Sequence, residues 1–144
     1  MAVKAIPEGW HSITPYLRMD NAAQVIDFAK RAFGATDRGT HLDANGKIMH
    51  AELMIGDSPI MFSDTMDGAT HRPGILYIYT EDVDSMYAAA IAAGGVSMRE
   101  PTNEFYGDRS SGVRDTAGNE WWIATHVEDV SEEEMQRRMK ELGK

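Results

Sequence analysis

Ile13-Thr14-Pro15-Tyr16-Leu17-Arg18-Met19-Asp20 and the continuation Asn21-Ala22-Ala23-Gln24-Val25-Ile26-Asp27-Phe28-Ala29-Lys30-Arg31-Ala32-Phe33-Gly34-Ala35 form the stretch on which the fold reading turns. In the first eight residues the apolar positions Ile13, Leu17 and Met19, with Pro15 near the start, predict a strand with one buried face. Asp20 and Asn21 then offer N-cap oxygens, and Val25, Ile26, Ala29, Ala32 and Phe33 recur at helical spacing. Gly34 is a natural stop, because glycine adopts the left-handed conformation at little steric cost.

Downstream, the polar stretch Thr36 to Asp43 reads as a weaker strand, and Asn45-Gly46 is a hairpin signal. Ile48 to Ile55 and Pro59 to Ser63 are strands separated by the Gly56-Asp57 turn, so the first half runs β-α-β-β-β. A Gly-, Asp- and Pro-bearing loop from Asp64 to Gly74 reads as a linker, after which the pattern restarts. Ile75 to Tyr79 predicts a strand, and Asp82 or Asp84 caps a helix through Met86, Tyr87, Ala90 and Ile91 that stops at Gly94-Gly95. Val96 to Glu100, a short Gly112 to Arg114 and Glu120 to Thr125 complete a second β-α-β-β-β order, with Asp115 to Gly118 as a turn. Element order and turn positions, more than residue identity, suggest two copies of one unit, at about 12–65 and 74–128 of a single 144-residue domain. At the C-terminus Ser131 with Glu134 forms a capping box and Val130 with Met135 a hydrophobic staple, predicting a helix over about 131–143. Its Met135, Met139 and Leu142 stripe leaves open whether it packs on its own chain or on a partner.

Charge and composition narrow the function classes. A net charge of −9 argues against nucleic acid and anionic membranes, both of which need a basic surface. The absence of cysteine excludes disulfides, thiolate nucleophiles and thiolate-held metal. No apolar run reaches membrane-spanning length, and the N-terminus lacks a signal-peptide core, so the expectation is a cytoplasmic protein.

Several segments together resemble the vicinal oxygen chelate superfamily, which includes glyoxalase I, the extradiol dioxygenases and the bleomycin and fosfomycin resistance proteins, and within it the PhnB-like group. They are Ile13-Thr14-Pro15-Tyr16-Leu17, Ile26-Asp27-Phe28, Phe33-Gly34-Ala35, His50-Ala51-Glu52-Leu53, Gly107-Asp108-Arg109, Asp115-Thr116-Ala117-Gly118 and Trp122-Ile123-Ala124-Thr125-His126. Thr116 and Asn119 stand where the family commonly has proline and histidine. The resemblance implies an α+β fold of two βαβββ modules forming a curled mixed-sheet cup with helices outside, and commonly a homodimer. It also places metal ligands on the first and last strand of each module. Aligned by flanking motifs, those positions hold Thr14, Met61, Ile75 and Trp122, none a usual ligand for a divalent ion, so the standard metal site is expected to be missing and no cofactor is expected.

Strand alternation then nominates the cup lining: Tyr16, Arg18, His50, Glu52, Tyr77, Tyr79, Glu120 and Trp122, with Met49, Ala51, Leu53 and Ile55 as the core face of the third strand. Aromatic walls with a few polar groups suit a planar or partly apolar small molecule. Arg18 with Glu52 could instead be a charge pair within the sheet, and Arg109 could close over an anionic ligand or pin its loop. His50, with Glu52, is the candidate general base. A displaced metal site at His50, Glu52 and Glu120 is the enzyme alternative, whereas His41, His71 and His126 do not obviously converge. Three readings remain: a metal-independent protein sequestering an aromatic antibiotic or metabolite, a glyoxalase-like or dioxygenase-like enzyme, and an interaction module whose cup is filled by its own side chains.

Overall fold

The computed structural model describes residues 2–66 and 70–144, so the expected linker loop lies partly, at 67–69, outside the described residues. The first half folds as β1 (Tyr16–Met19), α1 (Ala22–Phe33), β2 (Thr36–Leu42), β3 (Ile48–Ile55) and β4 (Ser58–Asp64). The second follows as β5 (Ile75–Tyr79), α2 (Val83–Ala92), β6 (Val96–Asn103), β7 (Asp108–Arg114) and β8 (Glu120–His126), and α3 spans Glu132–Glu141. The strands make two four-stranded mixed sheets of equivalent order, β1-β4-β3-β2 and β5-β8-β7-β6, with the first strand of each parallel to the last. With the three helices this is the expected α+β fold.

The two helix starts are held alike. Neither Asp20 nor Asn21 caps α1 with its side chain; Asn21 instead takes a left-handed φ of 58°. The Ala22 amide donates to Asp64 Oδ1 at 2.8 Å, and Asp64 Oδ2 accepts from the Ile48 amide at 2.7 Å, so one carboxylate at the end of β4 satisfies the starts of both α1 and β3. In the second module the Val83 amide donates to Thr125 Oγ1 on β8 at 2.9 Å, while Asp82 caps Ser85 as expected. In both cases a polar side chain at the end of the last strand holds the N-terminus of the module's helix.

The helix-covered faces of both sheets belong to one core. Leu17, Met19, Ala51, Leu53 and Phe62 from the first sheet are buried together with Val113, Trp121 and Ile123 from the second. α1 bridges them: the Phe33 and Phe28 rings stand 4.9 and 6.5 Å from Trp121, and α1 packs on α2. Burying an aromatic ring of this size contributes a few kcal/mol, so this contact is a main tie between the modules. His71 adds a polar tie, with Nδ1 accepting from the Asp20 amide at 3.0 Å and Nε2 donating to the Ala117 carbonyl at 2.8 Å. Beneath it, buried Asp115 accepts from Ala117 and Asn119 amides, from Asn119 Nδ2 and from Trp121 Nε1. Asn119 Oδ1 in turn accepts from the Gly74 amide at 2.8 Å, which gives the asparagine in this turn a definite structural role.

Two expectations are corrected. Met49 is exposed rather than core, because the β2–β3 ladder slips there: Leu42 pairs with Ile48 and His41 with His50, leaving Met49 in a bulge. β7 is a full strand from Asp108, not a short piece from Gly112. Its Ser110-Ser111-Gly112 run has poor strand preference, and pairing on both sides carries it into the sheet. The C-terminal helix has the expected Ser131 cap and docks on its own chain, where Arg138 donates to the Phe105 carbonyl at 2.9 Å and pairs with Glu128.

Truncating Phe33 should open a cavity against Trp121. Phe33→Ala is expected to lower unfolding free energy by about 3–5 kcal/mol in urea titrations, with the m-value retained if both modules still unfold together.

Candidate ligand-binding faces

Each sheet has a second face turned away from the helices, and the nominated residues fall on these open faces in two groups. On the first sheet Tyr16, Arg18, His50 and Glu52 come together. Tyr16 Oη lies 3.3 Å from His50 Nδ1, and His50 Nε2 lies 3.0 Å from Glu52 Oε1. This is a carboxylate–imidazole–phenol line, in which Glu52 fixes the ring and Tyr16 meets its other nitrogen. Arg18 does not pair with Glu52; it stacks on Tyr16 at 5.6 Å and reaches Ser63 Oγ at 3.4 Å. Met61 lies in register between Tyr16 and Glu52.

The open face of the second sheet carries a different construction. Tyr77, Tyr79 and Trp122 are large side chains above a stripe of small ones. Ala124 stands in register between Tyr79 and Ser110, and both small residues are fully buried. This leaves room for the tyrosine rings, 5.2 Å apart, to lie across the sheet until both hydroxyls donate to Asp108 Oδ2 at 2.9 Å. Gly112 does the same for Trp122: a Cβ there would stand 2.7 Å from the indole, so only glycine lets the ring lie flat over β7. Trp122 Nε1 donates to Glu120 at 3.2 Å, and the Arg99 guanidinium stacks on the indole at 5.1 Å. Arg99 also pairs with Glu104 and Ser110.

His126 belongs to this cluster, contrary to expectation. Its Nδ1 lies 2.9 Å from Asp108 Oδ1 and its Nε2 2.7 Å from Asp129. Burial alone would push the Asp108 carboxyl up, but hydrogen bonds from His126, Tyr77 and Tyr79 hold it below the usual carboxylate range. The bond to Asp108, followed by that to Asp129, raises His126. Burial and then the Asp108 bond raise Tyr77, and the Asp108 bond leads for Tyr79. The signal for this cluster was present in Gly107-Asp108-Arg109 and in the terminal His126, but it could be read only with β7 recognised as a strand from Asp108.

Three further placements bear on the nominated residues. Arg109 points away from the open face: strand alternation sends Asp108 one way and Arg109 the other, where it grips Asp84 with two 2.9 Å bonds and Asn103 with one. It therefore pins β7 to α2, the second of its two expected roles. Glu120 lies on the second sheet, apart from His50 and Glu52 on the first, so the displaced metal site is not assembled within the chain. Among the described residues no three His, Asp or Glu side chains form a metal-holding group. The nominated residues also do not enclose one shared cavity. A cleft of about 740 Å³ lies between the modules and takes in only Tyr77 and Tyr79 of them, its other walls including Phe33, Ile60, Leu76, Ile78, Met86 and Trp121.

Gly112→Ala should lift Trp122 off β7 and part it from Arg99. A loss of about 1–3 kcal/mol in unfolding free energy, with a shift in tryptophan emission, is expected. The His126–Asp108 pair also gives stability a pH dependence. Asp108 is depressed, so its contribution is present above about pH 4 and lost as pH falls through its lower folded value. His126 is raised, so its contribution is complete below about pH 6.5 and is lost as pH rises through its folded value. Resistance of the protein to urea unfolding should therefore fall on going from about pH 6 to pH 8.5, and His126→Gln should remove that slope.

Comparison with known proteins finds relatives in sequence and in fold. An uncharacterised protein of Mycobacterium bovis is 30% identical over 154 aligned residues, covering 99% of each chain. TioX from Micromonospora superposes with a TM-score of 0.65 at 22% identity, over 81% of this chain and all of its own. A Bacillus cereus PhnB protein, described as a putative 3-demethylubiquinone-9 3-methyltransferase, gives 0.65 at 16% identity over 80% and 99%. These structural likenesses speak for the fold alone. The family model described as glyoxalase/bleomycin resistance protein/dioxygenase superfamily matches residues 4–123, and the chain belongs to that superfamily.

Proposed function

We propose that this protein is a small-molecule-binding member of the superfamily that holds a flat, partly apolar ligand on the open face of the second sheet, without a metal at the family positions. The observation that carries the reading is the aromatic platform of Tyr77, Tyr79 and Trp122. Tyr77 and Tyr79 stay 46% and 64% exposed although their hydroxyls are anchored, so two preorganised aromatic side chains present area to solvent. The four family metal positions do not fit a divalent ion by donor chemistry. Thr14 and Met61 are poor ligands, Ile75 is none, and the Trp122 indole is committed to Glu120.

The platform is open on one side, and the polar group of Tyr16, Arg18, His50 and Glu52 is on another sheet. We read the two modules, about 12–65 and 74–128, as copies within one domain, and the assembly as a cytoplasmic homodimer whose second copy closes the cup. The free sheet edges at β1 and β5 are compatible with that arrangement. A ligand covered on both sides gains more buried area than a single open sheet can supply.

A second reading has its own support. The Tyr16–His50–Glu52 line has the geometry of an oriented acid–base group, so proton transfer on the first sheet is the enzyme alternative.

A thermal-shift and calorimetric screen over aromatic antibiotics and flat metabolites should give ligands whose affinity falls at least about tenfold in a Tyr77→Ala/Trp122→Ala variant. Binding untouched by that variant would sink the platform. Protein purified without chelator should carry substoichiometric metal, and stoichiometric metal lost in His50→Ala would replace this reading by a displaced metal site. Light scattering after size exclusion should return twice the chain mass of 16.0 kDa.

A further inference from the structure

The hydrogen-bond polarity of the platform restricts which ligands it can take, and this argument rests on the binding reading above. Asp108 is only 3% exposed, and it receives two tyrosine hydroxyls on one oxygen and His126 on the other. A carboxylate has no proton to give, so both tyrosines must be the donors. Each hydroxyl proton is therefore spent inward. What Tyr79 can still offer outward is the lone pairs of its oxygen.

Two further consequences favour positive charge. Donation to a carboxylate polarises the phenol, which makes its oxygen a stronger acceptor and its ring face more negative. The two rings stand 5.2 Å apart and tilted at 58°, so they present neighbouring faces. Tyr79 is the more exposed of the pair, so it is the tyrosine more accessible to a ligand. The neighbouring basic groups are largely engaged: His126 sits between Asp108 and Asp129, and the Arg99 terminal nitrogens are held by Glu104 and Ser110 with the guanidinium on the Trp122 ring, while Arg99 Nε, beside the indole and not at the tyrosines, has no hydrogen-bond partner among the described residues.

We infer that the second sheet selects an aromatic ligand bearing a protonated amine, with an N–H of the ammonium donating to Tyr79 Oη and the cation resting against the Tyr77 and Tyr79 rings. At the two tyrosine oxygens an anionic ligand of the same shape meets acceptors where it needs donors. A neutral alcohol can donate one weak hydrogen bond and gains no cation–π contact.

The experiment uses three probes of one shape: phenethylammonium, phenethyl alcohol and phenylpropionate, titrated calorimetrically into the intact protein near neutral pH. The ammonium should bind at least about fivefold more tightly than the alcohol, with the carboxylate weakest. Tyr79→Phe keeps the ring and removes the oxygen. It should erase most of the ammonium's advantage and leave the alcohol within about twofold of its original affinity. Equal or tighter binding of the alcohol or carboxylate overturns the inference, as does an ammonium preference that survives Tyr79→Phe. If aromatic probes bind with affinity sensitive to Trp122→Ala but without charge preference, the platform stands and only the amine selectivity fails. If no probe binds, or if binding ignores Trp122→Ala, the platform reading itself fails and takes the selectivity with it.

Discussion

Trp121 and Trp122 are neighbours on β8, and the pleat of a strand must send them to opposite faces. Trp121 is fully buried against Phe28 and Phe33, with its indole nitrogen satisfied by Asp115, whereas Trp122 is half-buried on the open face above Gly112. This division organises the second sheet. One tryptophan joins the modules through a shared core; the next lies on the open face. A one-residue slip in β8 would exchange them, burying an indole beside Glu120 and stripping α1 of its main aromatic contact.

The same pleat explains how a buried carboxylate comes to serve the open face. Asp108 alternates with Arg109, so the acid joins Tyr77, Tyr79 and His126 while the base crosses to Asp84 on α2. Its location beneath aromatic rings is tolerable because three donors satisfy it; an unpaired carboxylate there would cost several kcal/mol. The small residues Ser110, Gly112 and Ala124 make the arrangement possible, since each leaves space that a ring fills. Stripes of this kind look unremarkable in isolation and become informative beside the aromatic positions they accommodate.

The first sheet uses polar contacts in another way. Tyr16, His50 and Glu52 form a hydrogen-bonded line, and Arg18 stacks on Tyr16. The two open faces thus differ in chemistry, one built around an imidazole and the other around anchored phenols. Superfamily membership accounts for the scaffold beneath both.

Local chemistry made most of the scaffold legible. Helical spacing through Phe33, the Gly34 stop, the Asn45-Gly46 turn and the Ser131 cap each act over a few residues, and the strand and helix order follows from them. Alternation likewise placed Tyr16, His50, Glu52, Tyr77, Tyr79 and Trp122 on faces away from the helices. Longer-range pairing decided the rest. Asp64 replaced the local caps of α1 from 42 residues away, and β7 extended back to Asp108 because its neighbours supply the hydrogen bonds its own sequence does not advertise. Arg109 was drawn to Asp84 on α2 and His126 to Asp108, its partner across the β7–β8 ladder, pairings that no local spacing encodes. The sequence by itself determined the elements and which face each side chain takes, since these follow from backbone periodicity. Tertiary structure alone decided which of those faces meet, because that depends on how Trp121, Phe28 and Phe33 close the core between the modules.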